Sequence, residues 1–138
     1  MSTVGAKGTL QGYQYVVLRC VPRVEREEFV NVGVVLYSQA ADFLAARYEV
    51  DEARLRALAP DLDTAEVADA LETVCQVCRG VTGGGLPDLG GLGRRFGWLS
   101  APRSTVVQPG PVHGGLAADP AAELERLVAR LVGPTDRG

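Results

Sequence analysis

The stretch Tyr13 to Tyr37, YQYVVLRCVPRVEREEFVNVGVVLY, decides the fold. Residues 13–21 and 29–37 are each dense in β-branched and aromatic side chains, the chemistry that suits a pleated, half-buried surface. Pro22 closes the first run, because proline cannot donate to a sheet ladder. The charged connector at 23–28, RVEREE, is short enough to join the two runs as an antiparallel hairpin. Alternation places Val16, Leu18 and Cys20 on one face of the first strand, and Tyr13, Tyr15, Val17, Arg19 and Val21 on the other. On the second strand it separates Val30, Val32, Val34 and Leu36 from Phe29, Asn31, Gly33, Val35 and Tyr37. One face is thus aliphatic and belongs to a core. The other mixes tyrosines, Arg19, Asn31 and a mid-strand glycine, a residue that often marks close approach by a ligand or by backbone.

Beyond residue 37 come a turn and then Phe43 to Val50, whose alternation predicts a third strand and a meander. The rest is mainly helical. Asp51 caps DEARLRALA, which Pro60 stops. Asp63-Thr-Ala-Glu66 has the capping-box spacing, with Asp in place of Ser or Thr, and leads into Val67, Leu71, Val74, Cys75 and Cys78 at helical intervals. Glycines end that helix, and residues 80–93 read as a loop. Residues 94–99, RRFGWL, form a short apolar-basic element; Ser104 to Gln108 predicts a fourth strand, and 109–115 a turn. Asp119 as cap and Pro120 at the first helical position open a last helix, buried along Leu124, Leu127, Val128, Leu131 and Val132. The expectation is one α+β domain over residues 13–132: an antiparallel sheet of about four strands with helices packed on one face. A flexible leader, 1–12, and a flexible tail, 133–138, flank it.

At 138 residues such a domain can bury a real core without staples. A formal charge of -3 argues against a general nucleic-acid binder, whose affinity rests on Lys and Arg at phosphates. No apolar run approaches a transmembrane length, and the first eleven residues lack a signal-peptide core, so no membrane association and a cytoplasmic location are expected. Three cysteines fit a reducing compartment better than a disulfide framework.

Four groups of residues could carry chemistry. Cys75 and Cys78 have redox-motif spacing, but they fall near the end of a helix on its apolar side, where they read as small buried residues. Cys20, Cys75, Cys78 and His113 have zinc-ligand chemistry, yet nothing in the spacing ties Cys20 and His113 to the pair, so no metal and no cofactor is expected. His113, the only histidine, is either a lone acid–base group or a structural donor in a turn. Between residues 89 and 118 there is no carboxylate, while Arg94, Arg95, Arg103 and His113 all lie there. That basic island, with Ser104 beside Arg103, suits a phosphate or carboxylate. Arg103, Ser104 and His113 are therefore expected on one concavity, with Arg19 and Asn31 contributed by the mixed sheet face. The competing reading pairs Arg19 with Glu27 or Glu28, and Arg103 with a carboxylate of the fold.

Residues 15–36 resemble the opening motif of a bacterial family, domain of unknown function 3037. FLAAR at 43–47 and DEARLRAL at 51–58 continue the resemblance. FGWLSAPRSTVVQ at 96–108 and PVH at 111–113 are similar to its C-terminal motif. The resemblance implies no catalytic residues and, as a partner, a HipA-like kinase. Together these readings point to a small accessory binding protein that engages such a kinase or a phosphate-bearing ligand. The alternative is a small enzyme acting on a phosphorylated or nucleotide substrate through His113 and Arg103.

Overall fold

The computed structural model describes residues 9–133, so most of the expected leader and tail, residues 1–8 and 134–138, lies outside the described residues. Five strands and four α-helices follow in chain order among them. The strands are β1 (Gln11–Cys20), β2 (Val30–Ser38), β3 (Phe43–Tyr48), β4 (Val107–Pro109) and β5 (His113–Ala117). The helices are α1 (Glu52–Leu58), α2 (Thr64–Cys78), α3 (Leu92–Ser100) and α4 (Pro120–Leu131). This is the α+β architecture expected, with every strand pair antiparallel. None of these helices is long and apolar enough to cross a membrane.

The hairpin is the centre of the sheet, whose order is β3-β2-β1-β4. The second long edge of β1 is shared: β4 pairs with residues 18–20 and β5 with residues 11–15. Between them the Gly110 N–H donates to the Val17 carbonyl at 2.8 Å, so the chain from 107 to 117 runs as one interrupted edge strand. Pro109 and Pro111 sit on that edge, where a missing N–H is tolerated.

A bulge corrects the expected division of side chains on β2. Leu18 pairs with Gly33 but Arg19 pairs with Asn31, leaving Val32 as an extra residue. The alternation changes parity there. Val32 and Val35 face one core with Val16, Leu18 and Cys20, whereas Val34 and Leu36 face a second core with Tyr13. A Cβ on Gly33, beside the bulge, would come 3.0 Å from the Arg47 carbonyl oxygen and 3.1 Å from the Tyr48 Cβ, so a side chain there would press on β3.

Because both faces carry apolar side chains, both are covered, and the helices are not confined to one. Leu55 of α1, Val67, Leu71, Val74 and Val77 of α2, and Phe96 and Leu99 of α3 fill the first core. Leu124, Leu127 and Val128 of α4 fill the second. Burying each such side chain contributes about 1.5–3 kcal/mol, and the caps fix where the helices start. Asp51, Asp63 and Asp119 each accept from backbone N–H groups of the first turn.

Two local expectations also change. Residues 94–99 belong to α3, whose Phe96 stacks on Tyr37 at 5.4 Å between ring centroids. The supposed turn at 109–115 enters β5, a strand whose glycines conceal it from propensity. Gly115 lies under the Tyr13 ring, and a Cβ there would be 2.6 Å from the Tyr13 hydroxyl.

Candidate functional site

Helix α4 lies mainly over β2 and β3 and touches β1 less, with Tyr13 buried and Tyr15 half-buried against its core. Beyond Tyr13, the same face of β1 and its β4/β5 edge carries a strip: Tyr15 with His113, then Val17, then Arg19 with Gln108. Tyr15, Val17 and Arg19 are half-buried and His113 is exposed. The His113 ring packs on Tyr15 at 5.1 Å between centroids. Phe29, 46 % exposed at the mouth of the hairpin, closes the far end.

Arg19 is the unusual member. Its guanidinium carbon stands 4.2 Å from the centroid of the Phe29 ring, and the bare Cα of Gly110 lies on it, a Cβ there coming within 3.0 Å. Neither Glu27 nor Glu28 neutralises it. Glu28 takes both hydrogen bonds of Arg26, at 2.8 and 3.2 Å, and Glu27, in the left-handed region at φ 55, forms no ion pair with Arg19. Arg19 Nε is buried without a hydrogen-bond partner. Such a donor costs about 1–3 kcal/mol when left unmade, which contact with an aromatic face offsets only by about 0.5–2 kcal/mol. An anion reaching this guanidinium would meet a cation that no carboxylate among the described residues neutralises.

The α4 flank adds charge. Glu123 contacts Tyr13 and so marks the side of α4 that looks toward β1. Arg130, seven residues or two turns later, lies on the same flank. It is exposed and, among the described residues, forms no hydrogen bond or ion pair.

Asn31 sits beside Arg19 across the β1–β2 ladder, but its amide is already engaged. Nδ2 donates to the Leu131 carbonyl at 3.1 Å, satisfying an otherwise orphaned acceptor at the end of α4. Arg103 is engaged at another helix end. It stacks on Trp98 at 4.5 Å and donates to the carbonyls of Trp98 and Ala101, closing the C-terminus of α3. Burial lowers its pKa, without discharging a group that stays protonated in proteins. Ser104 is exposed beside it. Trp98 packs on the core beneath α1–α3, whereas Tyr15, the partner of His113, packs on the core beneath α4. Arg103 and His113 are thus anchored on opposite faces of the sheet. The structure groups Arg19, Asn31 and His113 on one face and leaves Arg103 and Ser104 on the other.

Phe29 and Gly110 are the partners of Arg19 that alternation alone does not reveal. Pairing of Arg19 with Asn31 makes Phe29 a diagonal neighbour on the same face, so the register of the hairpin is the signal that would have found it.

All three cysteines are free and buried. Burial pushes the Cys20 and Cys75 thiols up, and the Cys78 thiol up to about 12. Among the described residues no group of three or more His, Cys, Asp or Glu side chains is placed to hold a metal ion. A separate hollow of about 350 Å³ opens between the connector and the α1–α2 turn, lined by Pro22, Arg23, Arg26, Glu28 and residues 58–61.

Among curated proteins and among solved structures, none matches the chain. One family model does, over residues 15–132, from Tyr15 at the head of the strip to the end of α4. The chain therefore belongs to the family described as protein of unknown function (DUF3037).

Proposed function

We propose that this chain is an accessory binding module that docks an anionic segment of a partner protein, phosphorylated or carboxylate-rich, on the strip from His113 to Phe29. The observation that carries the reading is Arg19: half-buried, held between Phe29 and Gly110, with Nε unpartnered and, among the described residues, no carboxylate paired with its guanidinium. His113 lies at the Tyr15 end of the strip and Arg130 is an exposed cation on α4, and Tyr15 and Val17 supply apolar contact. Guanidinium groups read phosphate and carboxylate through paired hydrogen bonds, and an aromatic support limits the entropy lost on binding. A HipA-like kinase is the partner class that the family resemblance implies. A small enzyme would need His113 and Arg103 at one reacting centre, whereas the binding reading asks only for the strip.

The test is a titration of inorganic phosphate, a nucleotide and a phosphopeptide into wild type, Arg19→Ala and Arg103→Ala. Binding should be lost in Arg19→Ala and retained in Arg103→Ala. The reverse pattern would move the site to the end of α3, and equal behaviour of all three proteins would end the reading. A pull-down with a purified HipA-like kinase, comparing wild type with Arg19→Ala, tests the partner class directly.

A further inference from the structure

We infer that the outer edge of β5 is a homodimer contact, and that its occupant is the β5 edge of a second copy of this chain, paired antiparallel about a twofold axis at Gly115. β5 pairs on one side with β1, and among the described residues no strand pairs with its other side. A row of unpaired backbone donors and acceptors on such an edge is a template for another strand, and proteins that avoid this use blunt the edge with charged side chains. Here the edge is unblunted: residues 104–118 contain no Asp, Glu, Lys or Arg. A second copy would meet no like charge along it. Pro109 and Pro111 restrict ladder formation to the stretch that follows them, which is β5 itself.

The side chains select a second copy over an unrelated strand. Leu116 is 66 % exposed, although it is a large apolar residue at a strand position. It pairs with Gly12 of β1, and Gly114 pairs with Gln14, so Leu116 and Gly114 share the face opposite the α4 core. A twofold axis through Gly115 sets Leu116 of each copy opposite Gly114 of the other. Gly114 has no side chain, and a Cβ there meets nothing nearer than the Tyr13 carbonyl at 3.6 Å. Each leucine would therefore lie over a glycine gap, twice, in a register that only antiparallel self-pairing produces. Gly12, on the same face, leaves open space beside it. The other apolar side chain exposed next to β5, Val112 at 48 %, immediately precedes the paired segment. A five-residue strand pair with two leucines falls below the roughly 1,000 Å² expected of a tight interface, so the dimer is weak and concentration-dependent. It would join two sheets into one and set two Arg19 strips on the same side of it.

Sedimentation equilibrium of the full chain, over a wide range of concentration, tests this. Wild type should rise toward twice the monomer mass. Leu116→Lys places a charge over the partner's Gly114, and Gly114→Val fills the gap; both should remain monomeric over the same range, with far-UV spectra and melting temperatures like wild type because neither position is buried. Val24→Lys, at an exposed apolar site on the connector, should dimerise like wild type. Wild type that stays monomeric throughout overturns the inference, as does a dimer that survives Leu116→Lys.

Discussion

The hydroxyl of Tyr13 donates to Glu123 Oε2 at 2.5 Å, fastening β1 to the first turns of α4 across 110 residues of chain. Glu123 is held in turn by Arg126, whose Nη2 stands 2.6 Å from the same oxygen. This network is the polar seam of the second core, and its ionisation ties stability to pH. Burial first, and the Glu123 carboxylate second, push the Tyr13 hydroxyl from 10.0 to about 12. Its proton is held more tightly in the folded state. The stability it contributes is therefore complete below pH 10 and is lost as pH rises toward about 12. Glu123 has the opposite sign. The Arg126 hydrogen bond first, and the Tyr13 hydroxyl as well, lower its pKa against the opposing effect of burial. Its contribution is present above the unfolded carboxylate value and is lost as pH falls through the folded one. In urea denaturation followed against pH, Tyr13→Phe should flatten the alkaline limb and Glu123→Gln the acid limb. An alkaline limb unchanged in Tyr13→Phe would show that the seam does not couple to folding.

Gly33→Ala should destabilise by about 1–3 kcal/mol, because its methyl group is forced against the Arg47 carbonyl and the Tyr48 Cβ at the bulge. Gly12→Ala, in the neighbouring strand with nothing within 4 Å of the added carbon, is the control and should melt within a degree or two of wild type. Equal losses at the two positions would show that loss of glycine in a strand, rather than the bulge, sets the cost.

Val32→Asp and Val34→Asp should each cost on the order of 4 kcal/mol, since each introduces an unpaired carboxylate into a closed core. Their side chains are 1 % and 0 % exposed but lie on opposite faces of the sheet. Chemical denaturation should find both severe. A mild Val34→Asp would mean that α4 does not seal its face.

The cysteines should react with a thiol reagent only when the chain opens. Burial raises all three thiol pKa values, to about 12 for Cys78, so little thiolate exists in the folded state. Absorbance assays should show slow labelling in buffer and rapid labelling of three thiols in denaturant. Fast stoichiometric labelling of the native protein would contradict the burial of the Cys75–Cys78 turn.

Much was legible in the sequence because local rules suffice for it. β-branched runs broken by Pro22 specify the hairpin, and aspartate caps at 51, 63 and 119 start three helices where their side chains can reach free N–H groups. Family membership was legible in the same segments. The tertiary structure alone decided the rest. The bulge at Val32 reverses which valines share a core, and no local signal reports a register shift that depends on the partner strand. The strand HGGLA exists because Tyr13 lies across Gly115, a packing demand that propensity cannot carry. Arg103 and His113 lie in one carboxylate-free stretch, yet α3 and β5 anchor them on opposite faces of the sheet. Among the described residues Arg19 pairs with no carboxylate, and Glu28 is held by Arg26 instead. Sequence distance sets composition along the chain, but electrostatic neutralisation acts through space, and only the fold determines which charges meet.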